Sequence, residues 1–146
     1  MYLLPKFPDQ VYIELTNACN AHCRICATPA MTRKREVMDF DLFRKIVDEC
    51  GRHRAYRILP FLHGESLLAP DVLDYFRYIR RVSPKSHINL TTNGSKLTGE
   101  ISEAILREDL LDSIILSMEG ADRETYESIR LGLSFEEVRA NCLRFL

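Results

Sequence analysis

Apolar and polar positions change period several times along the chain, and each change marks an element. Val11, Ile13 and Leu15 alternate with Tyr12, Glu14 and Thr16, the period of two of a half-buried strand. Phe40, Phe43, Ile46, Val47 and Cys50 then recur at helical spacing behind Asp39, a helix-capping residue type, and Gly51 is expected to stop the run. Ile58, Leu59, Phe61 and Leu62 form a short apolar run of the kind a strand covered on both faces needs. Pro70 opens a helix that carries Val72, Leu73, Phe76, Ile79 and Val82 and closes at Ser83-Pro84. Ile88 and Leu90 predict a third strand running into Thr91-Thr92-Asn93-Gly94, and Leu97, Ile101, Ala104 and Ile105 a third helix. Ile114, Ile115 and Leu116 predict a fourth strand that ends at Ser117-Met118-Glu119-Gly120. A short helix is expected over 122 to 129, and Ser134 with Glu137 reads as a capping box for a last helix along Phe135, Val138, Cys142 and Phe145.

Strands that alternate strictly with helices imply an α/β fold with a parallel sheet and right-handed crossovers. Four such units make either a doubly wound sheet or part of a (β/α) barrel. Residues 1 to 10, with Pro5 and Pro8, read as an extended N-terminal arm, and 11 to 146 as the one domain. At 146 residues the chain is long enough to bury a real core.

Every unusual residue group falls just after a strand. The first is Cys19-Asn20-Ala21-His22-Cys23-Arg24-Ile25-Cys26, followed by His63-Gly64-Glu65, Thr92-Asn93-Gly94 and Ser117-Met118-Glu119-Gly120. In parallel α/β folds these loops open on one face, where active sites are built. Thiolates are soft ligands for iron–sulfur clusters, and three cysteines on one loop can hold three corners of a four-iron cube, leaving the fourth iron open. A tetrahedral zinc site of Cys19, Cys23 and Cys26 with His22 or His63 is the alternative reading of the same donors. Cys50 and Cys142 fall in helical patterns and read as small core residues.

The cysteine pattern resembles the signature of the radical S-adenosylmethionine (radical SAM) superfamily, and the likeness extends over roughly residues 11 to 146. It implies a partial (β/α) barrel truncated before its last strands. It also implies a [4Fe–4S] cluster on Cys19, Cys23 and Cys26, whose open iron takes the amino and carboxylate groups of S-adenosylmethionine (SAM). Reductive cleavage of SAM would give a 5′-deoxyadenosyl radical that abstracts hydrogen from a substrate. Gly64-Glu65 resembles the family's Gly-Gly-Glu motif, which holds the methionine amino group, although His63 stands for the first glycine. Asn93 sits in a Thr-Asn-Gly turn on the ribose side, and Ser117 and Glu119 match Ser-x-Asp-Gly with Glu in place of Asp. Arg130 resembles an arginine that pairs the SAM carboxylate. Ile25 takes the place of an aromatic residue packed on adenine. The loop 26 to 38, with Pro29, Arg33 and Met38, is similar to that of the SPASM and twitch group.

Composition narrows what remains. A formal net charge of −1 argues against nucleic acid as the main partner, and Arg33-Lys34-Arg35 is expected to be a solvated basic turn. No apolar run approaches the roughly 20 residues that span a bilayer, and the opening residues do not make a signal peptide. A soluble cytoplasmic protein without a membrane partner is the expectation. Its partners would be SAM, a reductant such as flavodoxin or ferredoxin, and a substrate the sequence does not name. A truncated chain would instead be an inert or partner-dependent iron–sulfur module. The fourth strand would then expose an unpaired edge.

Overall fold

The computed structural model describes residues 6–146. Four strands, β1 (Gln10–Tyr12), β2 (Arg57–Leu59), β3 (His87–Thr92) and β4 (Ser113–Leu116), form one parallel sheet in the order β1-β2-β3-β4. Between them run α1 (Phe40–His53), α2 (Val72–Val82) and α3 (Gly99–Arg107), and α4 (Arg123–Ile129) and α5 (Phe135–Phe145) follow β4. Strand order that follows chain order, with no reversal, is barrel winding and excludes the doubly wound alternative. The helices agree: α1 packs on α2, α2 on α3 and α3 on α5, so they follow one another around one face. In the register Val11 faces Ile58, Ile58 faces Ile88, and Thr92 faces Leu116.

Asp39 caps α1 as expected, its carboxylate accepting from the N–H groups of Asp41 and Leu42 at 3.0 Å. Gly51 does not stop that helix. It lies in the last turn, where a Cβ would come within 2.8 Å of the Val82 carbonyl oxygen, so the glycine admits the end of α2. The helix ends at Arg54, in the left-handed conformation at φ 55°. The second strand is also shorter than the apolar run that predicted it. Pro60 has no N–H for the ladder, and the chain folds back as the Phe61 N–H bonds to the Leu59 carbonyl at 2.8 Å. Phe61 and Leu62 therefore leave the sheet and turn toward the loops above it.

Residues 1 to 5 of the expected arm lie outside the described residues. The strand pairing starts inside the arm, at Asp9, whose carbonyl accepts from the Arg57 N–H at 2.9 Å. Two hydrophobic clusters follow from the layering. The larger gathers Ile13, Leu15, Phe43, Val47, Ile58, Phe76, Ile79, Ile88 and Leu90 between the sheet and α1–α3. The smaller gathers Ala21, Cys23, Tyr126, Leu133, Phe135, Val138 and Cys142 under the cysteine loop. No helix of the described residues is long and apolar enough to cross a membrane.

Candidate metal centre and cofactor pocket

The cysteine loop has no regular hydrogen-bond ladder of its own, so its shape depends on what grips it from either side. On one side an antiparallel bridge joins Thr16 to Val37, and the Asn17 amide donates to the Lys34 carbonyl while accepting from the Glu36 N–H, both at 2.8 Å. The basic stretch is spent on the same task. Arg35 donates to the carbonyls of Asn17 (2.6 Å) and Thr28 (2.8 Å), and Arg33 forks onto the carboxylate of Glu14 (2.8 and 3.1 Å). The turn is solvated as expected, all three residues being exposed, but Arg33 and Arg35 also make these bonds while Lys34 pairs with Glu36 on the surface. On the other side the N–H groups of His22 and Arg24 bond to the carbonyls of Leu131 (2.8 Å) and Ile129 (3.0 Å), which ties the loop to the end of α4.

The three thiols differ in exposure: Cys23 is buried, Cys19 half-buried and Cys26 exposed. Each sulfur nevertheless faces an N–H donor at 3.4 Å, from the Ala21 backbone to Cys19, from Arg130 Nη1 to Cys23 and from the Thr28 backbone to Cys26, and Asn93 Nδ2 also reaches Cys19 at 4.0 Å. Burial pushes the Cys19 thiol up, and the Ala21 N–H opposes that. Donors aimed at sulfur favour the thiolate form that binds iron. Three soft donors so supported fit an iron–sulfur cluster. The zinc alternative, with His22 or His63 as the fourth ligand, fits less well. Among the described residues no group of three or more His, Cys, Asp or Glu is placed to hold a single metal ion.

Cys19, Cys23 and Cys26 open on one cavity of about 170 Å³, which Gly64, Glu65, Asn93, Ser117 and Arg130 also line. Gly64 is there for a steric reason. Its φ is +76°, and a Cβ would stand 2.4 Å from the Thr16 carbonyl oxygen and 2.7 Å from that of Ala18, so the second loop seats directly on the entry to the first. The Glu65 N–H bonds to that Ala18 carbonyl at 2.8 Å. Its carboxylate, 2% exposed, accepts from Leu67 N–H (3.1 Å), Thr92 Oγ1 (2.8 Å) and Asn93 N–H (2.8 Å). Burial raises the Glu65 pKa, and these bonds together with the positive Arg130 pull it back. Glu65 Oε2, with one protein donor, keeps room for another.

Asn93 donates to Asn20 Oδ1 at 3.1 Å and accepts from the Ser95 N–H and hydroxyl at 2.9 and 2.7 Å. Asn20 closes the ring by donating to Ser95 Oγ at 2.8 Å, and Asn141 of α5 braces it by donating to the carbonyls of Gly94 and Ser95. Pattern reading missed Asn20, Ser95 and Asn141. Only Asn20, inside the cysteine run, carried any local signal. Ser117 is set by its own N–H bonding to the Thr92 carbonyl at 2.9 Å.

Two expected residues stand off the cavity wall. Ile25 is 66% exposed beside Cys26. Glu119 takes the guanidinium fork of Arg130 through Nε and Nη2, while Nη1 of the same arginine reaches Cys23. Burial works against the charge on Arg130, but Glu119 and Cys23 outweigh it and hold the group firmly cationic.

Known proteins resemble this chain. A GTP 3′,8-cyclase of Chlorobaculum tepidum is 29% identical over 133 residues, covering 89% of this chain and 38% of the relative. A PqqA peptide cyclase of Streptomyces rochei is 30% identical over 123 residues, covering 84% and 33%. The chain thus spans little more than a third of the length of these curated relatives. Streptococcus suis SuiB, solved bound to S-adenosylmethionine, superposes on 95% of this chain and 31% of its own, with a TM-score of 0.80 at 16% identity, a likeness of fold. The family model of the radical SAM superfamily matches residues 13–146, which hold β2 to β4, all five helices and every residue lining the cavity, and the chain belongs to that superfamily.

Proposed function

We propose that this chain is the part of a radical SAM enzyme that holds a [4Fe–4S] cluster and SAM. Cys19, Cys23 and Cys26 would ligate three irons and leave the fourth for the amino and carboxylate groups of SAM. The single observation that carries this reading is the shared cavity. Three thiols, each met by an N–H donor, open on the same space as Glu65, Asn93, Ser117 and Arg130. Held by these residues and reduced, the cluster would supply the electron for splitting the SAM sulfonium to a 5′-deoxyadenosyl radical.

The chain's own residues do the holding. Glu65, with a free acceptor site on Oε2, suits the ammonium group. Ser117 and Arg130 suit the SAM carboxylate, Asn93 the ribose side, and the exposed face of Ile25 the adenine. Glu119 orients Arg130 through its forked pair. Cys26, exposed at the rim, is where a one-electron donor such as flavodoxin or ferredoxin would approach. The printed names of the relatives include a cyclase of GTP and a cyclase of a peptide. Substrates that different share this part of the relatives, which supports placing radical generation here and substrate choice elsewhere.

Anaerobic reconstitution with iron and sulfide is expected to give a brown protein with about four irons per chain. Addition of dithionite and SAM is then expected to release 5′-deoxyadenosine. A colourless protein that takes up one zinc with the same three cysteines would overturn the assignment.

A further inference from the structure

Asn93, Asn20 and Ser95 form a closed ring of hydrogen bonds, and one backbone N–H decides which way the ring runs. The Ser95 N–H can only donate, so the Asn93 atom 2.9 Å from it is the amide oxygen, Oδ1. Asn93 Nδ2 therefore turns the other way and donates to Asn20 Oδ1 at 3.1 Å. That fixes Asn20 in turn: its own Nδ2 donates to Ser95 Oγ at 2.8 Å, and the Ser95 hydroxyl spends its proton on Asn93 Oδ1 at 2.7 Å. The backbone that carries the deciding N–H is itself held. Asn141 donates to the carbonyls of Gly94 (3.0 Å) and Ser95 (3.2 Å), and Arg144 donates to Asn141 Oδ1 at 3.2 Å.

What the ring leaves over is what Asn93 can offer a ligand. Both lone pairs of its Oδ1 are taken by Ser95, and one of the two Nδ2 protons by Asn20. Its backbone N–H is bound to Glu65 Oε2 at 2.8 Å. One amide proton remains, with the Cys19 sulfur at 4.0 Å as a contact too long to satisfy it. Asn93 is 5% exposed and lines the cysteine cavity, so that proton is offered to whatever fills the cavity. A buried donor without a partner is costly, and a ligand that brings an acceptor removes the cost. Charged groups in the cavity are met by Arg130 and Glu65; a neutral amide donor suits a neutral oxygen, such as a hydroxyl.

We propose that Asn93 is a fixed hydrogen-bond donor to a ribose oxygen of SAM, and that Asn20 and Ser95 are positioning residues that hold its amide in that orientation. The proposal rests on the cavity being the SAM site. A ring that keeps the amide from flipping makes Asn93 a donor before the ligand arrives, so little orientational freedom is lost on binding. Asn20 follows Cys19 in the chain, and the loop that carries the thiols is thus also the loop that aims this contact.

The test is SAM affinity, measured by equilibrium dialysis on the full chain after anaerobic loading, with iron per chain checked for every variant. Asn93→Ala is expected to weaken binding about tenfold and Asn20→Ala about three- to tenfold, both with iron retained. In the double variant Asn20→Ala is expected to add nothing to Asn93→Ala, because a positioning residue acts only through the group it positions. Asn20→Asp, which keeps an oxygen for Asn93 Nδ2, is expected to restore most of the affinity. Unchanged affinity in Asn93→Ala, or losses that simply add in the double variant, would overturn the proposal and leave the cavity assignment standing. A loaded wild-type chain that binds no SAM would sink the cavity assignment itself, and the proposal with it. If either alanine variant sheds its iron, Ser95→Ala decides: weaker SAM binding supports the proposal and wild-type affinity refutes it.

Discussion

The two cores of this chain are built differently. The larger, between the sheet and α1–α3, is closed almost wholly by carbon: Phe43, Val47, Phe76, Ile79, Ile88 and Leu90 are fully buried, and Phe40 and Phe43 each meet Tyr75 edge to face. Its one cysteine, Cys50, has its thiol pushed up to about 11, chiefly by burial, and so stays protonated at neutral pH. The smaller core, under the cysteine loop, mixes apolar side chains with Cys23, Cys142 and an unpartnered phenol, and its roof is held by hydrogen bonds from α4, β3 and the 28–37 segment. Burial is non-directional and tolerates repacking, whereas hydrogen bonds hold sulfur and oxygen atoms at set positions. The first region supplies stability and the second supplies geometry.

That division is open to breakage, most sharply at the cysteines. Replacing Cys19, Cys23 or Cys26 by Ala is expected to abolish iron retention, while Cys50→Ala retains it; equal loss from all four, measured as iron per chain after reconstitution, would erase the distinction. Phe43→Ala should cost about 3–5 kcal/mol in denaturant unfolding. In whatever fraction stays folded, iron per chain should not change. A drop in stoichiometry would show the two cores to be coupled.

Gly64→Ala tests the seam between the regions. A side chain at φ +76°, with its Cβ against the Thr16 carbonyl, costs about 1–3 kcal/mol of strain and pushes on the entry to the cysteine loop. Thermal stability and iron uptake should therefore fall together, and a loss in the first alone would place Gly64 with the scaffold. The smallest effect belongs to Arg33. Its hydrogen bonds, more than any other cause, lower the Glu14 pKa from 4.5. That stabilisation is present above pH 4.5 and lost as pH falls through the folded-state value, so Arg33→Ala should lower stability slightly near neutrality, leave it unchanged at low pH, and so flatten the acid limb of the stability profile. An unaltered acid limb would mean that the Arg33–Glu14 fork does nothing for the loop it braces.

Much of this was legible in the residue pattern. All four strands and five helices were found, because each buries a face with its own period. The errors came where a neighbour in space outvoted local preference. Gly51 looked like a stop but is a contact with Val82, and Phe61 and Leu62 looked like strand but follow a proline that ends the ladder. Arg33 and Arg35 are exposed as expected, but nothing nearby in sequence announces Glu14 or the Asn17 carbonyl as their partners.

The chemistry divides along the same line. Three cysteines within eight residues, placed after a strand, announce a soft-metal loop from the chain alone, since ligand type and spacing are local properties. Which donors face each sulfur, why Gly64 must be glycine, how Asn20, Asn93 and Ser95 interlock, and that the Tyr126 hydroxyl is buried without a partner are facts of assembly. They join residues up to 107 positions apart, and no local pattern encodes a distance across the fold.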